Sequence, residues 1–222
     1  MTAPTPPATP GQPGAAAPAT PPATGPERRA ASPAQIAELV ALVRADATLM
    51  RALAAVRALG LPDACIGAGA IRNRVWDRLH GFDQPSSAKA DIDVIFFDAA
   101  ETRVERDHAL EHQLKAAVPD LAWEVVNQAG VHLWFEEAFG YAAPPLLSLE
   151  DGVASWPEIA TCVAVRLAAD DGIEVIAPFG LDDLFGLVCR RNAARVRPGT
   201  YRARLLTKGW KRRWPRLNIV QG

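Results

Sequence analysis

Apolar residues spaced three and four apart open the ordered part of this sequence. Ile36, Leu39, Val40 and Val43 follow "SPAQ", so a helix is predicted with Ser32 as N-cap, Pro33 in its first turn and Gln35 completing a capping box. Asp46 is placed to cap a second helix with Leu49, Leu53, Val56 and Leu59 inward, closed by Gly60. A short apolar strand is predicted around Ala64–Ala68, and helical spacing resumes through Ile71, Val75 and Leu79 until Gly81. After the polar loop "FDQPSSAKA" comes a strand at 91–97. The stretch "ETRVERDHALEHQLKAAV" reads as a helix with Val104, Leu110, Leu114 and Val118 inward.

Period-two alternation returns at 121–127, where Trp123, Val125 and Asn127 alternate with Ala122, Glu124 and Val126. "TCVAVRL" and "GIEVIAP" flank Ala168-Ala169-Asp170-Asp171 and predict a hairpin. "FGLDDLFGLVCRRN" and "TYRARLLTKGWKRR" read as two helices with Pro198 and Gly199 between them. Trp210 and Trp214, four apart, suggest one apolar helix face, with a base-stacking platform as the functional alternative. Helices, then strands alternating with helices, then helices again predict an α+β (or α/β) domain around a mixed sheet.

Composition sets the domain limits. Residues 1–32 carry nine of the 19 prolines and no Leu, Ile, Val or Phe, so they cannot bury enough apolar surface to fold. They are expected to form a disordered Pro/Ala-rich tail, and they lack the basic start and apolar core of a secretory leader. The folded domain is expected at 33–222, with its core motifs at 61–176 and a basic helical part at 180–220. No later stretch has the roughly 18 uninterrupted apolar residues that a membrane span needs. Cys65, Cys162 and Cys189 form no CxxC pair, so three reduced, buried thiols and a cytoplasmic location are expected.

Charge is uneven. The stretch Arg190–Arg216 holds 11 of the 24 Lys and Arg residues and no acid, whereas all 25 acids lie before it. A basic end on an acidic body predicts either an anionic partner or a solvated helix face.

"KADIDVIFFD" concentrates the candidate chemistry. Asp91 and Asp93 occupy alternate strand positions and so share one face, where each carboxylate raises the other's pKa. Glu124, on a neighbouring strand, would bring a third carboxylate if the strands pair. Oxygen ligands alone favour Mg²⁺ or Mn²⁺, and Mg²⁺ held by carboxylates commonly completes its shell with phosphate. A salt bridge to Arg or Lys of the C-terminal helices is the alternative that needs no metal. Upstream, "GAGAIRN" offers small residues at a strand-to-helix turn where backbone can approach phosphate, with Arg72 and Asn73 in the first turn.

This order of glycine turn, DxD strand and later acidic strand resembles the polymerase-β-like nucleotidyltransferase superfamily. "GAIRNRVWDRLHG", "DIDVIFFD", "WEVVNQAGVH", "SWPEIATCVAVRL", "APFGLDDLF" and "KGWKRRWPRL" are similar, more narrowly, to a bacterial nucleotidyltransferase-like family. The resemblance spans about residues 47 to 220. It implies a mixed sheet flanked by helices, a nucleoside triphosphate substrate, and Mg²⁺ or Mn²⁺ at Asp91, Asp93 and Glu124. It further implies a phosphate turn at Gly69 and Ala70, supported by Arg72 and Asn73. Ala70 departs from the Ser often found after that glycine. Asn127 and His132 follow the third-acid strand and are further candidates.

Two functions are therefore expected. One is transfer of a nucleoside monophosphate to a hydroxyl of RNA, protein or a small molecule, with release of pyrophosphate. The other is an inactive protein of the same fold that binds nucleic acid or a protein partner through its basic end.

Overall fold

A computed structural model describes residues 26–82 and 91–221. The first helix, α1 (Pro33–Arg44), begins as its sequence dictates. The Ser32 hydroxyl accepts from the Gln35 N–H at 3.2 Å, and the Gln35 side chain accepts from the Ser32 N–H at 3.3 Å. Asp46 caps α2 (Ala47–Ala58) by accepting from the N–H groups of Thr48 and Leu49. The chain then forms β1 (Cys65–Gly67), α3 (Ala68–His80), β2 (Ile92–Phe96), α4 (Val104–Ala117) and β3 (Trp123–Asn127). Next come α5 (Val131–Phe139), α6 (Leu149–Ala154), β4 (Ala164–Leu167) and β5 (Ile173–Ile176).

Among the described residues these strands form a mixed sheet in the order β3-β2-β1-β4-β5. β2 and β3 are parallel, joined through α4, while β1 runs antiparallel to both β2 and β4. The end of β1 therefore lies beside the start of β2. The predicted hairpin is β4–β5. Ile92, Val94 and Phe96 point into a core shared with α1–α3, and Ile95 packs on the other face with Leu149 and Val153 of α6. Val104, expected inward, is exposed because it is the first residue of α4.

The basic end departs most from expectation. Only α7 (Asp182–Phe185) forms where a longer helix was predicted. Leu187 turns the chain with φ 54°, and Val188–Arg190 becomes β6, parallel to β7 (Asn218–Val220). Pro198 and Gly199 do not separate helices; they open α8 (Pro198–Lys208). Gly209, with φ 55°, breaks the last predicted helix and starts the short α9 (Trp210–Arg213).

Tryptophan fastens this end to the body. Trp76 of α3 is fully buried and meets the rings of Trp210 and Trp214 edge-on, at 5.9 and 5.2 Å between centroids. Beside it, buried Asp77 accepts from Trp214 Nε1 at 2.8 Å and Arg213 Nε at 3.1 Å. Trp210 and Trp214 thus serve the apolar-face reading of their spacing.

Most of the expected N-terminal tail, and most of the loop before β2, lie outside the described residues. Residues 26–32 are fastened to the body. The Arg29 N–H donates to the Pro178 carbonyl at 3.0 Å, and Arg28 pairs with Glu150 and Asp151. No helix among the described residues is long and apolar enough to cross a membrane. Cys65, Cys162 and Cys189 are free and buried.

Trp76→Ala should remove about 3–5 kcal/mol of stability in a urea titration. It should also speed tryptic cleavage between Lys208 and Arg216, because α9 loses its seat. Unchanged cleavage would mean that other contacts hold the basic end.

Candidate active site

The strand-to-helix turn is built by close approach. A Cβ on Gly67 would stand 2.3 Å from the ring of Trp156, so only glycine fits while that ring stays. The next residue, Ala68, takes φ 51°, and its N–H donates to the Val163 carbonyl at 3.1 Å. That conformation is strained for an L-residue, and it aims the start of α3 across the end of the sheet. Gly69 follows beside the Asp93 carboxylate, where its N–H favours the ionised acid; a Cβ on Gly69 would stand 3.7 Å from Asp93 Oδ2.

Parallel pairing sets Asp93 directly opposite Glu124. Adjacent strands lie about 4.8 Å apart, so the two carboxylates are close neighbours on one face. Asp91, one residue before β2, lines the same cavity of about 860 Å³. Burial, then the charge of Glu124, raises the Asp93 pKa from 3.8 to about 6, and the Gly69 N–H opposes the shift. None of the three acids forms an ion pair with another described residue. The cations of the C-terminal part that do pair with acids do so elsewhere: Arg190 with Asp183, Arg204 with Glu158, Arg213 with Asp77.

Among the described residues, no group of three or more His, Cys, Asp or Glu side chains stands in a geometry that already holds a metal. The donor set nevertheless suits a hard divalent cation: three oxygen donors on one cavity wall, with Asp93 destabilised as a bare anion.

The cavity is lined by cations as well. Arg72 is buried between the rings of Trp76 and Trp210, its guanidinium 4.9 and 4.5 Å from their centroids. It donates to Asn73 Oδ1 at 2.8 Å and to Thr161 Oγ1 at 3.0 Å. Burial lowers its pKa to about 10, so it stays charged at neutral pH. Arg204, Lys208 and Arg213 reach the same cavity from α8 and α9. Trp134, Phe135, Phe139 and Tyr141 form an aromatic wall at another side.

Asp91, Asp93, Glu124, Gly69, Arg72 and Asn73 therefore share one cavity, and three other candidates stand apart from it. Ala70 is fully buried and packs into the core, so a hydroxyl in its place would face apolar side chains. Asn127 sits on the opposite face of β3 from Glu124, as alternation requires. Its amide is spent on the Asp98 and Glu101 carbonyls, and its oxygen accepts from the N–H groups of Asp98 and Ala129. His132 is half-buried and does not line the cavity. Trp156, Glu158, Thr161 and Arg204 escaped notice as single residues. "SWPEIATC" held three of them, but nothing in its spacing marks them as polar groups of a site.

A nucleotidyltransferase family model matches residues 54–219. The chain belongs to the nucleotidyltransferase family. Its fold matches a solved domain described as a CCA-adding enzyme head domain, with TM-score 0.70 and 28% identity over 84% of this chain and 96% of that one. A CCA-adding enzyme in complex with CTP matches at TM-score 0.49 and 14% identity, over 83% of this chain. The Thermotoga maritima CCA-adding enzyme complexed with tRNA matches at TM-score 0.43 and 14% identity, over 85% of this chain. This nucleotidyltransferase spans 43% and 40% of those two longer chains. No curated protein matches the sequence.

The raised pKa of Asp93 gives a stability test without metal. The folded state holds its proton more tightly than the unfolded one, so this contribution is full below about pH 4 and is lost as pH rises through about 6. Asp93→Asn should therefore raise Tm at pH 7.5 in EDTA, and the gain should shrink towards zero near pH 4. A lower Tm at pH 7.5 would show that the Gly69 contact outweighs the repulsion.

Proposed function

We propose that this protein transfers a nucleoside monophosphate from a nucleoside triphosphate to a hydroxyl acceptor. The observation that carries the reading is one cavity lined both by three carboxylates free of described ion pairs and by buried Arg72 with Arg204. An acceptor oxygen attacks the α-phosphorus. The bond from that phosphorus to the β-bridging oxygen breaks, and pyrophosphate leaves with the electron pair. The proton of the hydroxyl passes to the Glu124 carboxylate, which stands at an exposed strand position. The N–H groups around Gly69, with Arg72, hold the triphosphate charge.

Asp91, Asp93 and Glu124 would hold Mg²⁺ or Mn²⁺. Such an ion, when bound, neutralises phosphoryl oxygens and lowers the pKa of a coordinated hydroxyl. The aromatic wall offers a surface on which a base can stack.

A nucleic-acid acceptor is favoured by one further observation. Arg202, Lys208, Lys211 and Arg212 on α8 and α9 are exposed and form no ion pair with a described residue, and Lys208 lines the cavity. The same face serves the second reading, an inactive protein that binds nucleic acid.

Melting with Mg²⁺ or Mn²⁺ and each of ATP, GTP, CTP and UTP tests the first reading without knowledge of the acceptor. A nucleotide at 100 times its Kd should add about 2.7 kcal/mol, a shift of several degrees. The shift should require metal and vanish in Asp91→Asn/Asp93→Asn. Absence of any shift, with RNA binding that ignores the double substitution, would favour the second reading. For single-stranded RNA, four phosphate contacts predict a slope of about −3 in log K against log salt. A flat salt response would remove α8 and α9 from the binding surface.

A further inference from the structure

Glu158 is fully buried, and the steps above give it no part. One of its oxygens accepts from Arg204 Nε at 2.6 Å, and the other from the Thr161 hydroxyl at 3.1 Å. Thr161 Oγ1 in turn accepts from Arg72 at 3.0 Å. A single acid thus anchors two guanidiniums from distant parts of the chain, one on α3 and one on α8. Both side chains line the cavity, and Thr161 lies between them on its wall.

The mode of anchoring matters. Arg204 is held through Nε, the nitrogen nearest its stem, while the two terminal nitrogens form no hydrogen bond with a described residue. Trp210 backs both cations, with the Arg72 guanidinium 4.5 Å and the Arg204 guanidinium 5.7 Å from its ring centre. The Arg204 fork fixed in this way suits bidentate contact with phosphate oxygens, and Arg72, held by Asn73 and Thr161, adds a fixed charge with its remaining N–H donors beside it.

We infer that Glu158 is a positioning residue, which holds Arg204 and, through Thr161, Arg72 as a paired seat for the terminal phosphates of a polyphosphate chain. The inference rests on the nucleotidyl-transfer reading for its substrate. It assigns the seat to residues of both the sheet domain and the basic C-terminal part. Glu158 does not touch the ligand.

Inorganic tripolyphosphate in EDTA is the probe, because it needs neither metal nor acceptor. Calorimetry on the full chain should show binding by wild type. Arg204→Ala should weaken it at least about tenfold, the loss expected for a charge-assisted hydrogen bond. Glu158→Gln is the discriminating variant. It removes a negative charge beside two arginines, so an acid that merely neutralised them would yield tighter binding. A positioning acid yields weaker binding, by about fivefold or more, because Arg204 is released.

An unchanged Kd with a lower Tm would assign Glu158 to stability alone and overturn the inference. Should Glu158→Gln fail to fold, Arg204→Lys keeps the charge but loses the Nε anchor and the fork. The seat predicts weakened binding there, and simple charge attraction predicts none. Wild type that fails to bind tripolyphosphate overturns the seat, whatever happens with nucleotides. Tripolyphosphate binding without nucleotidyl transfer would instead count against the proposed reaction and leave the seat standing.

Discussion

A mostly buried carboxylate facing a second one across a strand pair is an unfavourable thing to build. Asp93 and Glu124 are in that position because β2 and β3 pair in parallel, with Val94, Ile95 and Phe96 beside Val125, Val126 and Asn127. The register is set on the far face, where Ile92, Val94 and Phe96 must enter the core. A slip of one residue would bury Asp93 in that core and expose three large apolar side chains. Hydrophobic burial on one side of the sheet therefore fixes the repulsion on the other. The Gly69 N–H relieves part of it, and the rest leaves the pair receptive to positive charge.

The cationic wall follows the opposite logic. Arg72 could not be buried alone, so the fold surrounds it with two indole faces, an amide oxygen and a hydroxyl. Glu158 completes the group and draws in Arg204 from α8. Three tryptophans, Trp76, Trp210 and Trp214, then join apolar packing to electrostatics. They close the body onto its basic end, and two of them, Trp76 and Trp210, lie against the guanidiniums of Arg72 and Arg204.

How much of this was legible in the sequence depended on range. α1 and α2 could be read because their caps are local: Ser32 with Gln35, Asp46 with Thr48 and Leu49. Asp91, Asp93 and Glu124 could be read because alternation along a strand shows which residues share a face, and motif order brought the strands together. Asn127 was expected as a further site candidate, but the same alternation puts it on the face opposite Glu124, where it bonds Ala129 nearby and Asp98, 29 positions away. β6 and β7 could not be read, since each has three residues and finds its partner about 30 positions away. At the Leu187 turn the positive φ falls on the leucine and not on the adjacent Gly186, so the glycine does not mark where the chain turns. Glu158 and Arg204, 46 residues apart, form a pair only through folding, and an isolated Glu after Pro157 carries no local signature.

Gly67 and Trp156 meet at a contact with no room for one more carbon. The two positions are thereby tied in inheritance. A mutation that adds even a methyl at 67 is tolerable only on a background where the ring at 156 has already shrunk. A smaller ring at 156 first opens a gap beside the strand-to-helix turn. Drift through this pair must cross an intermediate that is either crowded or hollow, so the turn should change in concert or not at all.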